Sequence, residues 1–428
     1  MIFDTLFGRN YLRNSSPAVT AKMKSWTALG AAVFKEHRAL LWIIALQVEV
    51  SWWMCVVAER QLWSGTADAY TSVISAAVIF GVMALAARLV QGRPRELPFA
   101  ASYRESLRKV REEILTARWL ASVVIVLATL PLSLGVFSAA KQTIPIIHPF
   151  AWDSSIEQFG LRLHGGRHMW EWLQPLVGYP IITVLLDAFY HKGWTLMSLG
   201  ALALVIVSPP SRLRRRYITA SVLLLFLVGT LSALALSSAG PPYYDQIVHG
   251  PDPYAALFTY LSDVGKHSPL ISSEGRDVLW TAYRHRVDAF GLGISAMPSM
   301  HVATAALAAC LAFAVGPWLG LMATLCTIVV AIASVSLGWH YALDGYVGAA
   351  LAIAVWWLAG RIEREVVETV PESVQPRRQD FQPRAWVPPS RRRGAATLPD
   401  GLVAVASADD ATAWTGSMAQ TRRPMRTS

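Results

Sequence analysis

The chain has 428 residues, of which 54% are hydrophobic and 17 are tryptophan, a composition that excludes an ordinary soluble domain and fits several bilayer spans. Its formal charge of +10 is gathered in loops and in the tail, where bilayer orientation and anionic headgroups account for it, so composition speaks against nucleic acid as a partner. Cys55, Cys310 and Cys326 all lie inside apolar runs without paired spacing, which argues against a disulfide framework and against a zinc site built on cysteine.

In chain order, the first 38 residues are basic and polar, so no cleavable signal peptide is expected and the first span inserts the chain. Apolar runs of the length that crosses about 30 Å of hydrocarbon predict spans at 40–58, 70–90 and 119–139. The stretch 176–209 is ambiguous, because Tyr190-His191-Lys192-Gly193 interrupts it. Further spans are predicted at 217–237, 302–315, 318–337 and 341–359, with the Gly316-Pro317 turn joining the sixth and seventh of the total.

Charge resolves the ambiguity. Residues 88–118 carry eight Lys/Arg, Arg212-Leu213-Arg214-Arg215-Arg216 carries four more, and both termini are basic, so all four regions are expected on the cytoplasmic side. Alternation then allows one crossing between Ala140 and Arg212. Counting 176–209 once gives an all-α, polytopic membrane bundle of about eight spans, with the loops 140–175 and 240–300 outside. The second of these loops holds four Lys/Arg against six Asp/Glu. Trp152, Trp170 and Trp172 suit an interfacial helix in the first. The expected domains are 1–118 (cytoplasmic N-terminus, transmembrane hairpin and basic loop), 119–360 (a six-span catalytic core) and 361–428 (a disordered basic cytoplasmic tail rich in Pro, Arg, Ser and Ala).

Two segments put histidines at the edges of apolar runs, where an imidazole or carboxylate is disfavoured unless it forms a site. They are Ser295-Ala296-Met297-Pro298-Ser299-Met300-His301 and Gly338-Trp339-His340-Tyr341-Ala342-Leu343-Asp344. Loop charge assigns both to the same extracytoplasmic face. His340 and Asp344 are four apart, a spacing that brings them together at a helix start. The carboxylate fixes the imidazole tautomer and stabilises the cation formed when the ring attacks. His301 is a second imidazole for proton transfer, and Ser299 with the adjacent backbone amides suits an anion. These parts fit phosphoryl transfer. Two histidines and an aspartate are also a set that can bind a divalent metal, but phosphoryl chemistry without metal accounts for Ser299 as well.

Pro298-Ser299-Met300-His301 and His340-Tyr341-Ala342-Leu343-Asp344, joined by a helical hairpin, resemble the second and third signature blocks of the type-2 phosphatidic acid phosphatase superfamily. Ala239-Gly240-Pro241-Pro242-Tyr243-Tyr244-Asp245 is similar to the segment found in the branch of inositol phosphorylceramide synthases, the aureobasidin-resistance proteins. Asp153, Gly165, Gly166, Trp170 and 187–190 resemble that branch more weakly. The likeness runs over about 153–360. It departs from the phosphatase pattern at Met300, where that pattern has glycine, at Ser334, where it has arginine, and in lacking the first block, a lysine followed by Arg-Pro.

The resemblance implies that His340 is the nucleophile that becomes phosphorylated, that Asp344 orients it, that His301 protonates the leaving group and that Ser299 binds phosphate oxygen, with no metal and no cofactor. Its substrate would be a membrane lipid carrying a phosphomonoester, pyrophosphate or phosphodiester, with water or a polyol as acceptor, in the cell (inner) membrane. A transferring phosphoryl group spreads charge over three oxygens and meets cations. The expected replacements for the missing arginines are Arg286 first, then Arg284, Lys266 and the hydroxyls of Tyr243 and Tyr244. The competing reading is a transporter or assembly subunit that keeps the fold without catalysis.

Overall fold

The computed structural model of the protein describes residues 17–91, 98–113 and 115–368; of the tail expected at 361–428, residues 361–368 continue the last helix and the rest lies outside the described residues. The described chain is helical, without a β-strand. In order, the longer helices are α1 Pro17–Val57, α2 Thr66–Gln91, α3 Phe99–Glu113, α4 Ala117–Ile147, α5 Asp153–Leu163, α6 Met169–Val177, α7 Pro180–Val207, α8 Arg212–Ala235, α9 Ala255–His267, α10 Ile271–His285, α11 Met300–Val315, α12 Pro317–Ser336 and α13 Ala342–Glu368, with short helical turns at Pro241–Tyr243 and Tyr244–Ile247 between α8 and α9.

Seven of them, α1, α2, α4, α7, α8, α12 and α13, are long and apolar enough to cross a membrane, so this is a multi-pass membrane protein. Helices occur at all eight predicted places, but α11 has 16 residues, about 24 Å at 1.5 Å per residue. It is alanine-rich and packs against α12 and α13, with Val302, Ala303 and the run Ala305–Ala309 nearly all buried. A helix surrounded by other helices does not itself have to match the thickness of the hydrocarbon.

The stretch 176–209 forms one span. Tyr190-His191-Lys192-Gly193 does not break it; residues Phe189–Gly193 are wound as a single π turn inside a continuous helix. Gly193 admits the Phe189 ring, which a Cβ there would meet at 2.8 Å.

The N-terminal hairpin is part of the main core. Leu40, Ile44 and Val73 share one apolar cluster with α4, α7, α8, α11 and α13. Inside that packing Gln47 and Ser133 form two reciprocal hydrogen bonds, Gln47 Nε2 to the Ser133 carbonyl at 3.1 Å and Ser133 Oγ to Gln47 Oε1 at 2.6 Å. Buried amides in apolar surroundings need such partners.

The basic run 212–216 is only partly a solvated loop. Arg214 is buried and donates to the carbonyls of Val205 and Ile206, the last turn of α7, and to Ser122 Oγ; a cation there satisfies orphan carbonyls and the helix dipole. Arg215 is buried between Glu36 at 2.7 Å and Glu363 at 3.0 Å, and Arg118 donates to Glu36 at 2.9 Å. This ionic cluster ties α1, α4, α8 and α13 together at the end of the bundle opposite the two histidine segments.

Candidate active site

Three chain segments meet at the other end. Asp153, the first residue of α5, is their hub: its carboxylate accepts from the Ala239 amide (2.9 Å), the Gly240 amide (2.8 Å) and the Tyr341 hydroxyl (2.8 Å). Burial pushes this carboxyl up, against the opposing pull of those donors. Gly240 has φ +90°, and a Cβ there would lie 2.8 Å from Ala296 Cβ and 3.0 Å from the Trp339 carbonyl. Only glycine wedges between both partners in that conformation. Ser238 completes the junction, its carbonyl accepting from Ala296 N and its Oγ from Met297 N.

His340 sits on the turn between α12 and α13. The amides of Trp339 and His340 both donate to the Ser334 carbonyl, at 2.9 and 3.1 Å. Asp344, fully buried in the first turn of α13, accepts from His340 Nδ1 at 3.2 Å and from the Tyr341 amide at 3.0 Å. The pair is therefore not on a shared helix face, as the spacing predicts; His340 precedes α13, and Asp344 reaches back to the cap as the acidic member of a capping box does. Because a carboxylate only accepts, the bond requires hydrogen on Nδ1 and leaves the lone pair on Nε2.

Ser299 is the N-cap of α11, accepting from Val302 N, and its amide donates to the Asp344 carbonyl at 3.0 Å. That approach depends on Gly348 of α13, where a Cβ would stand 2.6 Å from the Ser299 carbonyl oxygen. His301 follows on α11 and is held by α7: its ring stacks on Tyr190, with centroids 4.4 Å apart, and lies 4.0 Å from Trp194. Trp194 Nε1 donates to the His301 carbonyl at 3.1 Å and to Thr304 Oγ1 at 2.9 Å. The π turn carries Tyr190, so the interruption in the sequence of α7 is what sets the wall behind His301.

The two imidazoles, 6.4 Å apart between centroids, face one cavity of about 350 Å³, a size that fits small polar ligands and headgroups. His191, Tyr243, Trp339 and Lys141 also line it. Its rim is braced by Asp187, which accepts from Ile271 N, Ser272 N and Ser272 Oγ and so caps α10. Ser272 Oγ in turn receives Trp339 Nε1 at 2.9 Å and lies 3.0 Å from His191 Nε2.

Residues 161–358 match the PAP2 superfamily. No curated protein and no solved structure matches the chain. The PAP2-like segment contains Ser299, His301, His340 and Asp344; His301 and His340 line the cavity, Asp344 lies behind His340, and Ser299 is fully buried outside the lining with its Oγ accepting from Val302 N. The structure does not bring the expected arginines with them. Arg284 and Arg286 are exposed at the end of α10, away from the cavity, and the Arg286 carbonyl accepts from Arg60. Lys266 is exposed and paired with Asp263 at 2.7 Å. The Tyr243 ring lines the cavity, but its hydroxyl donates to the Arg276 carbonyl at 3.0 Å. Tyr244 lies outside the lining, packed with Tyr254 and Tyr341, and burial pushes its hydroxyl up to about 12. Ser334 is buried and donates to the Ala331 carbonyl, so it offers no substitute for the arginine. Sequence reasoning missed Lys141 and the hub role of Asp153; both lie upstream of the PAP2-like segment.

Proposed function

We propose that this protein is a membrane lipid phosphatase or phosphotransferase that works through a phosphohistidine. The observation that carries the reading is the Nδ1 bond of His340 to buried Asp344, with His301 on the same cavity. His340 Nε2 attacks the phosphorus of a lipid phosphoester, the bond from phosphorus to the leaving oxygen breaks, and His301 as imidazolium gives that oxygen its proton. Asp344 stabilises the cationic ring of the phosphohistidine. His301, now neutral, takes a proton from an acceptor hydroxyl; that oxygen attacks phosphorus and the P–N bond breaks, restoring both histidines.

With water as acceptor a phosphomonoester or pyrophosphate releases inorganic phosphate and a phosphodiester leaves a phosphomonoester; with an alcohol, a polyol or the hydroxyl of ceramide, the product is a new phosphoester. The resemblance of the Ala239–Asp245 segment to inositol phosphorylceramide synthases favours transfer. The loop charges favour an extracytoplasmic cavity, cytoplasmic termini and a lipid entering from the outer leaflet. The test is to supply purified protein with phosphatidic acid, a polyprenyl pyrophosphate, or phosphatidylinositol plus ceramide, and to follow free phosphate and new lipids. Either product should vanish in His340→Ala. Products that persist in that variant would refute the mechanism, and the absence of any product from the wild type would favour the non-catalytic subunit.

A further inference from the structure

We propose that Lys141, on α4 and outside the PAP2-like segment, is the cation that holds the tetrahedral oxyanion of the substrate, in place of the missing arginines. This rests on the phosphoryl-transfer reading of the same cavity. Among the described residues lining the cavity, Lys141 is the only Lys or Arg and none is acidic. Lys141 is half-buried and has no hydrogen-bond or ion-pair partner among the described residues, so its ammonium is free to meet an anion in the cavity.

A lysine at the end of a transmembrane helix ordinarily stretches towards water, but this one is held beneath a loop. Ser138 and Gln142, one turn before it and one residue after it on α4, grip that loop. Gln142 exchanges both amide bonds with Ala289, at 3.0 and 3.3 Å, and Ser138 Oγ accepts from Gly291 N at 2.8 Å. Between those anchors and His301, Gly293 presses on the lysine stem, where a Cβ would be 3.0 Å from Lys141 Cγ. The loop that leads to Ser299 and His301 is thus fastened to the turn that carries Lys141. An ammonium with three rotatable donors suits a phosphate whose orientation is set by two histidines rather than by a bidentate fork.

Tungstate, a tetrahedral oxyanion that cannot be transferred, tests the site by calorimetry on the purified full-length protein, alongside turnover of the lipid phosphates. Wild type should bind it. Lys141→Met should weaken binding at least tenfold, Lys141→Arg should restore most of it, and Gly293→Ala should weaken it by pushing the lysine aside. Binding unchanged in Lys141→Met, or no binding by the wild type, would overturn the proposal; were Lys141→Met not to fold, Gly293→Ala decides alone. Lys141-dependent binding in a protein that turns over no lipid phosphate would keep the anion site and discard the transfer reading.

Discussion

Tyr341 and Asp153, 188 residues apart, are joined by a 2.8 Å hydrogen bond between the phenol and the buried carboxylate. Tyr341 is the neighbour of His340, and Asp153 also holds the two amides at Ala239 and Gly240, so this bond aligns the turn of the proposed nucleophile with the glycine-proline loop. Tyr341→Phe removes one donor and should cost about 1 kcal/mol, whereas Asp153→Ala strands two buried amides at about 1–3 kcal/mol each. Thermal unfolding in detergent should rank them in that order. Both should lower kcat of the proposed reaction more than they raise KM, since neither residue is placed to touch substrate, and Asp153→Asn should recover less than half of the loss because its amide can accept on one side only.

Asp344→Asn preserves shape and removes the carboxylate that requires hydrogen on Nδ1 of His340. Loss of the correct tautomer should reduce turnover by about a hundredfold or more. With an activated substrate such as a nitrophenyl phosphate, the leaving group departs without an acid. His301→Ala should then still accept phosphate and accumulate a base-stable, acid-labile phosphoprotein, because the acceptor has lost its base. Denaturing gels of radiolabelled protein would show that band in His301→Ala and none in His340→Ala.

The catalytic candidates were legible because polar groups at the rims of apolar runs are conspicuous, and His340, Asp344, His301 and Ser299 stand on two short segments. The cation was not legible. Lys141 sits at the end of a span, where a lysine is unremarkable, and its neighbours across the cavity come from a loop some 150 residues later, which only folding brings near. Arg284 and Arg286 belong to the loop that charge assigns to the same face as the histidines, but they are exposed at the end of α10 and do not line the cavity. Arg214 and Arg215 read as loop charges because net charge is visible in a sequence, whereas the carbonyls and carboxylates that bury them belong to other helices. The π turn at Phe189–Gly193 was visible only as an interruption, since histidine, lysine and glycine weaken an apolar run whether or not the helix continues.

Gly348 sets the distance between α13 and the start of α11. Gly348→Ala introduces a methyl 2.6 Å from the Ser299 carbonyl oxygen, so α13 must shift and the bond from Ser299 N to the Asp344 carbonyl must lengthen. Overpacking of this kind costs about 1–3 kcal/mol. The variant should melt earlier than wild type and lose activity out of proportion to its stability, while Gly345→Ala, whose methyl would meet Val302 at an ordinary 3.5 Å, should be nearly silent in both assays.

Arg215 bridges two carboxylates, Glu36 of the N-terminal hairpin and Glu363 of α13. Removing it leaves both acids buried, though Glu36 retains Arg118 and Glu363 retains the Thr219 hydroxyl at 2.8 Å. Breaking a buried pair from one side costs about 3–5 kcal/mol. Arg215→Ala should therefore lower the melting temperature more than Glu36→Gln, which leaves Arg215 still bonded to Glu363. The hairpin α1–α2 should also become more sensitive to limited proteolysis at Arg60 in Arg215→Ala if the ionic cluster helps to hold it against α4, and equal sensitivity would assign the docking to the apolar core and the Gln47–Ser133 pair alone.

The proposed sidedness rests on the basic regions and can be tested without any substrate. A cysteine introduced at Asp252, before α9, should react with an impermeant maleimide added to intact cells, and one at Arg104, on α3, should react only after the membrane is opened. Both positions lie in helical or loop segments outside the seven spans, and the native Cys55, Cys310 and Cys326 sit within apolar helices, so the background should be low. Because an odd number of crossings between the two sites is required for opposite sides, and α4, α7 and α8 supply three, the reverse pattern would turn the protein over, whereas labelling of both sites from outside would remove one of these three helices from the list of spans.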